Sequence, residues 1–196
     1  LEEDNEPEYG TETVAEYSVA LLRKSAKKLD QDLGKNPNAD SGEQGFELKG
    51  KTLGVIGAGN IGKEVIRRAR AFEVQVLAFD PYPDEEAADE LGYKHVKLEE
   101  LLERSDFLSI NCPLSDSTRH LLSAEEFDQV ENLLLVNAVR GAVIDSEALL
   151  DALLVEMLVT LHLMSWRMDG TRSFPGWIMS TLLSIKRTTR GRPRRG

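Results

Sequence analysis

Gly57-Ala58-Gly59-Asn60-Ile61-Gly62 is the segment of this 196-residue chain whose residue types and spacing point most directly to chemistry. The short apolar run Thr52 to Ile56 precedes it, and Ile61, Val65, Ile66 and Ala69 follow at helical spacing. Glycines placed this way between a strand and a helix suit a dinucleotide. Gly57 permits the tight turn, Gly59 lets a pyrophosphate approach the backbone, and Gly62 lets the helix pack on the strand. The free N–H groups at the helix start then hold the anion without a lysine. An ordinary glycine-rich turn has the same composition, and the strand and helix on either side are what favour the phosphate reading. Asp80 lies 18 residues beyond Gly62, at the end of a second apolar run, 74–79. A carboxylate there accepts hydrogen bonds from the adenosine ribose hydroxyls and repels a 2′-phosphate, which selects NAD over NADP. Its other reading is a strand-end Asp that makes the turn into Pro81.

The surrounding elements follow the same rhythm. Strands are predicted at 52–56, 74–79, 107–110 and 133–136, with helices over 61–72, near 84–91, over 98–104, near 123–129 and from Asp145 or Ser146 to about Leu154. Alternation of strand and helix implies a parallel sheet covered on both faces, the α/β class. Upstream, Thr13-Val14-Ala15-Glu16 has capping-box spacing and opens a helix that ends in basic Lys24, Lys27 and Lys28. Residues 31–45, rich in Asn, Asp and Gly, read as a loop.

Composition narrows the function classes. A net charge of −10 repels a phosphate backbone, so nucleic acid is excluded as a partner of the chain as a whole. One cysteine excludes a disulfide framework and a cysteine-built zinc site, and it fits a reducing compartment. No metal site is expected. No long uncharged apolar run is present to span a membrane, and a cytoplasmic location is expected. Cys112 has no basic neighbour in the sequence and reads as a small buried residue. His95 reads as a surface residue before a strand and His120 as a helix-start residue. The acidic clusters at 2–8, 84–90 and 99–103 read as solvated faces.

With these motifs in order, the chain resembles the nucleotide-binding domain of the D-isomer-specific 2-hydroxyacid dehydrogenases. The resemblance runs from about Asn5 to Leu154. It rests on Pro7-Glu8-Tyr9-Gly10-Thr11 with Val14-Ala15-Glu16, on the lead-in from Leu48 to Gly57, and on Asp80-Pro81-Tyr82. It rests further on Cys112-Pro113-Leu114 with Thr118-Arg119-His120, and on Asn137-Ala138-Val139-Arg140-Gly141 followed by Val143-Ile144-Asp145. It implies a Rossmann-type doubly wound parallel sheet, truncated before its last strands, with NAD as cofactor. It implies that Gly57, Gly59, Asn60, Ile61 and Gly62 form the cofactor-binding loop, with Asn60 and Ile61 contacting the pyrophosphate, and that Asp80 meets the ribose. It places Cys112, Pro113 and Thr118 on the nicotinamide side of the cleft, and Ala138, Val139 and Arg140 near the nicotinamide ribose. Arg140 is the catalytic position, its guanidinium fork suited to the carboxylate or carbonyl of a 2-oxo acid. On residue type alone, an arginine after a buried strand is equally a surface charge. The resemblance also implies a homodimer, a small 2-hydroxy or 2-oxo acid substrate, and hydride transfer to or from nicotinamide. A corepressor-like module that binds NAD as a ligand is a second reading, and an inert truncated product a third.

The resemblance implies three divisions: an interdomain helix and loop over 1–46, the NAD-binding domain over 47–154, and an anomalous tail over 155–196. Residues 156–196 hold eight Lys and Arg against Glu156 and Asp169, a charge of +6, which leaves −16 on the first 155. All four Met and both Trp lie beyond residue 155. Synonymous codons for 155–169, read two nucleotides later, spell Gly-Asn-Val-Gly-Asp-Ala-Ala-Leu-Asp-Val-Met-Glu-Asp, which resembles the strand and the Asp that the family carries next. The tail therefore reads as out of frame and is expected to fail to complete the sheet. An amphipathic native tail, helical from Leu153 to Trp166 and basic from Lys186 to Arg195, is the rival reading. The chain starts at Leu1 and reads as a piece of a longer protein.

Overall fold

The computed structural model describes residues 10–26, 47–130, 133–154 and 158–163. The predicted loop at 31–45 lies outside them. The order of elements is α1 (Thr11–Ala26), β1 (Thr52–Ile56), α2 (Asn60–Ala69), β2 (Gln75–Phe79), α3 (Glu85–Leu91), β3 (Lys94–His95), α4 (Leu98–Arg104), β4 (Phe107–Ile110), α5 (Ala124–Phe127), β5 (Leu133–Asn137), α6 (Ser146–Leu154) and β6 (Leu158–Leu163). Short 3-10 turns follow α2 at Arg70–Phe72 and β5 at Gly141–Val143.

All six strands are parallel, in the order β3-β2-β1-β4-β5-β6. Successive side chains of a strand point to opposite faces, and the core divides accordingly. Leu53, Val55, Val76, Ala78, Phe107, Leu134 and Val136 pack on one face with Leu21, Leu22, Val65 and Ile66 of α1 and α2. Ile56, Leu77, Leu108, Ile110, Leu133 and Leu135 pack on the other with Leu101, Leu102, Phe127 and Leu149 of α4, α5 and α6. Helices on both faces of the parallel sheet bury its near-continuous apolar strands. Helix α4 approaches so closely that a Cβ on Gly54 would stand 2.2 Å from Ser105 Oγ and 2.9 Å from Leu101 Cδ2. The chain runs outward from β1 to β3 and then crosses back to β4. The crevice at the carboxyl ends of β1 and β4 is therefore the topological switch point, where open α/β sheets bind ligands.

Four local expectations are corrected. Helix α1 begins at Thr11, with the Val14 N–H donating to the Gly10 carbonyl at 3.0 Å, so Thr13 is inside the first turn and does not cap it. His95 lies in an edge strand, β3, with its Nδ1 buried, because the Val96 N–H pairs with the Ala78 carbonyl and draws the segment onto β2. His120 starts no helix. It ends a turn with φ +54, its N–H donating to the Ala142 carbonyl at 2.9 Å.

The fourth concerns the tail. Leu158–Leu163, in the tail expected to fail to complete the sheet, form β6 and pair with β5 from Leu133 to Asn137. The physical reason is the open edge of β5, whose N–H and C=O groups need partners. A run rich in Leu, Val and Thr supplies them through backbone atoms, whatever its side chains encode. Residues 155–157 and 164–196 lie outside the described ones.

Candidate functional site

The crevice is built by three loops that leave β1, β4 and β5 on the same edge of the sheet. After β1, Gly57 takes φ +87, a left-handed conformation that a side chain resists. A Cβ on Gly57 would also stand 2.7 Å from the Cys112 backbone nitrogen, so the β1 and β4 loops touch at this glycine. Gly57 donates its N–H to the Phe79 carbonyl at 2.9 Å. Gly59 is the exposed N-cap of α2 and offers no side-chain cap, so the first N–H groups of the helix, over Asn60 to Gly62, are left for an incoming anion. A Cβ on Gly59 would meet no protein atom within 4 Å, whereas one on Gly62 would stand 2.0 Å from the Gly57 carbonyl oxygen. The two glycines thus answer different needs: open approach at Gly59, helix-to-turn packing at Gly62. Ile61 is half-buried beside them.

Asp80 stands at the end of β2, half-buried. Its Oδ2 accepts the Ala58 N–H at 2.8 Å and its Oδ1 the Tyr82 N–H at 2.9 Å. A carboxylate has about four lone-pair sites, so both oxygens retain capacity for ribose hydroxyls. The neighbouring Tyr82 ring is 86% exposed, leaving an aromatic surface at the mouth of this end. Farther along the edge, Lys63 Nζ pairs with Asp84 Oδ2 at 2.6 Å, and that hydrogen bond, with a second from the Ala87 N–H, holds the Asp84 carboxyl below its ordinary range. Burial is the first cause that raises the Tyr93 phenol, with the charges of Asp84, Asp80 and Glu85 adding to it.

After β4, Cys112 is buried and its thiol is pushed up to about 11, burial being the main cause. That supports the reading of a packing residue. Pro113 is exposed. Thr118 Oγ1 donates to the Pro113 carbonyl at 2.6 Å and accepts the Ser115 N–H at 2.7 Å, which folds 113–118 into a closed turn. After β5, Ala138 is buried, Val139 half-buried and Arg140 exposed. Among the described residues no carboxylate pairs with the Arg140 guanidinium. Asn137 was not singled out as a site residue, yet it shapes this loop: Nδ2 donates to the Arg140 carbonyl and Oδ1 accepts the Val139 N–H, both at 3.0 Å. A buried amide at a strand end before a turn was the available signal. His120 lies closer to the Arg140 loop than its sequence position suggests, and its Nδ1 is 3.4 Å from Asp145 Oδ2. Among the described residues no group of three His, Cys, Asp or Glu could hold a metal ion.

The model of the D-isomer specific 2-hydroxyacid dehydrogenase NAD binding domain matches residues 17–161. The chain belongs to this dehydrogenase family. It carries the family's NAD-binding domain, and the match runs past Leu154 into β6. The D-lactate dehydrogenase of Escherichia coli is 40% identical over 151 residues, which cover 75% of this chain and 46% of that protein. The hydroxypyruvate reductase of Thermotoga maritima is 38% identical over 149 residues, 74% of this chain and 48% of that protein. The solved D-lactate dehydrogenase of Aquifex aeolicus in complex with NAD and lactic acid superposes with a TM-score of 0.74 at 34% identity, covering 80% of this chain and 48% of that one. The chain thus spans about half the length of such relatives. The residues on the switch-point edge fit the family's cofactor: an open backbone approach at Gly59, uncapped N–H groups at α2, and an acidic acceptor at Asp80.

Proposed function

We propose that this dehydrogenase-family chain is the NAD-holding part of an oxidoreductase that moves hydride between nicotinamide and the C2 carbon of a small 2-hydroxy or 2-oxo acid. One observation carries the reading. A solvent-facing Arg140, with no carboxylate partner among the described residues, is held by the fold on the same sheet edge as the glycine loop and Asp80.

Bound NAD would supply the hydride acceptor or donor. The chain's own residues divide the remaining work. The N–H groups of Asn60, Ile61 and Gly62 bind the pyrophosphate, and Asp80 accepts from the ribose and opposes a 2′-phosphate. Cys112, Pro113, Thr118, Ala138 and Val139 line the nicotinamide side. Arg140 binds the substrate carboxylate in a bidentate fork and stabilises negative charge on the carbonyl oxygen. Carbonyl reduction also needs a proton, and a positioned acid is typically worth about 10²–10⁴-fold. We assign that acid outside residues 10–154. The protein is read as a homodimer that pairs through this domain and as cytoplasmic. Among the described residues no helix is long and apolar enough to cross a membrane.

The test is loss of NADH absorbance with pyruvate, glyoxylate or hydroxypyruvate, measured for the isolated chain and for a longer protein with codons 150–160 resequenced. Turnover by the longer protein alone supports the reading. NAD binding without turnover in either supports the corepressor-like alternative. A rate for the isolated chain within about tenfold of the longer protein would place the acid inside this chain.

A further inference from the structure

The Asp80 carboxylate makes a contact that ribose recognition does not require. Its Oδ2 reaches back from the end of β2 to accept the Ala58 N–H at 2.8 Å, in the middle of the glycine loop. Strand β2 therefore grips the loop at two successive points, through the Phe79 carbonyl on the Gly57 N–H and through the Asp80 side chain on the Ala58 N–H. The Tyr82 N–H, on Oδ1 at 2.9 Å, fixes the carboxylate in the orientation that makes the second grip. The loop has need of it. Gly57 is left-handed at φ +87 and Gly59 has no protein atom near its missing Cβ, so two of its three residues carry little conformational preference of their own. Ala58, by contrast, is 5% exposed and fixed on both sides, by its packing and by this hydrogen bond.

We propose that Asp80 is a positioning residue for the pyrophosphate loop: through Ala58 it holds the glycine turn in its nucleotide-accepting shape, independently of any contact with ribose. The proposal rests on the NAD reading above. It separates from a ribose-only role by sign. A carboxylate close to phosphates opposes their binding. If Asp80 serves ribose alone, removing it leaves affinity for a ligand without ribose hydroxyls unchanged or improved. If Asp80 holds the loop, the same removal weakens that ligand.

The probe is 2′,3′-dideoxyadenosine 5′-diphosphate, titrated calorimetrically into the 196-residue chain and into D80A and D80N, with amide hydrogen exchange at Ala58 followed by NMR. Loss of a hydrogen bond to a charged group predicts binding to D80A on the order of tenfold weaker, with faster exchange at Ala58. D80N leaves one acceptor oxygen for two N–H donors, those of Ala58 and Tyr82, and is expected to fall between the parent and D80A in binding and in Ala58 protection. Binding to D80A equal to or tighter than the parent, with Ala58 exchange unchanged, overturns the proposal. Should D80A fail to fold, D80L, of similar size but without an acceptor, decides: faster Ala58 exchange with weaker binding of the dideoxy ligand supports the proposal, and exchange and binding like the parent overturn it. Should the parent bind neither NAD nor the dideoxy ligand, the NAD reading fails, and Ala58 exchange in the variants still decides the grip on the loop.

Discussion

Asn137 Nδ2 donates to the carbonyl oxygen of Arg140 at 3.0 Å, so a side chain buried at the end of β5 fixes the backbone from which the guanidinium projects. Its Oδ1 holds the Val139 N–H at the same distance, and the Val143 N–H adds a longer bond to the Arg140 carbonyl at 3.3 Å. Asn137→Ala leaves the Val139 N–H without its partner and removes one of two donors from Arg140. A loss of about 1–3 kcal/mol of stability is expected, read from urea denaturation. In the active longer protein the same change should lower kcat/KM for the 2-oxo acid more than it lowers NAD affinity, because the amide serves the Arg140 loop alone. An unchanged denaturation midpoint would contradict this role.

Gly59 and Gly62 should part company on substitution. Gly59 has an ordinary φ of −72 and open space around it, so Gly59→Ala should fold and lose only about 1 kcal/mol or less, because Ala caps a helix less well than Gly. The added methyl group occupies the approach of the pyrophosphate, and NAD affinity should fall by at least about tenfold, ~1.4 kcal/mol. Gly62→Ala pushes a methyl group to 2.0 Å from a backbone oxygen and should lose stability by about 1–3 kcal/mol or more. Paired melting and titration measurements check both, and equal stability losses would contradict the division.

These contrasts also mark where sequence patterns were sufficient. The strands at 52–56, 107–110 and 133–137 announce themselves because both faces of a parallel strand are buried and only apolar residues satisfy that. Strand β3 is two residues long, Lys94 and His95, and no two-residue pattern can show that Val96 will pair with Ala78. Strand β6 is not legible in the sequence because pairing at an open edge depends on backbone groups, whereas the composition of the tail speaks only of its side chains. Within the candidate site, residue types and spacing point to Gly57 and Asp80, and the family resemblance to Arg140. The bonds from Asp80 to Ala58 and from Asn137 to Arg140 join side chains to backbone, which no spacing rule records.

Cys112 provides a pH test. Burial raises its thiol from the ordinary 9.0 to about 11, so the native state holds this proton more tightly than the unfolded chain. The associated stability is fully present below pH 9.0 and is lost as pH rises from there toward about 11, by about 2–3 kcal/mol at most. Cys112→Ser should flatten that alkaline limb of the stability curve. At neutral pH the thiol of the native chain should react slowly with iodoacetamide, and rapid alkylation of folded protein would contradict a buried, protonated Cys112.

The central claim is that the switch-point edge of this sheet, with the glycine loop on one side and Asp80 on the other, holds NAD. Calorimetric titration of NAD and of NADP into the folded 196-residue chain tests it most directly. One NAD per chain is expected, with NADP weaker by about tenfold or more because the Asp80 carboxylate meets the 2′-phosphate, and with that discrimination reduced in D80N. A folded chain that takes up neither nucleotide, or binds the two equally, would contradict the account.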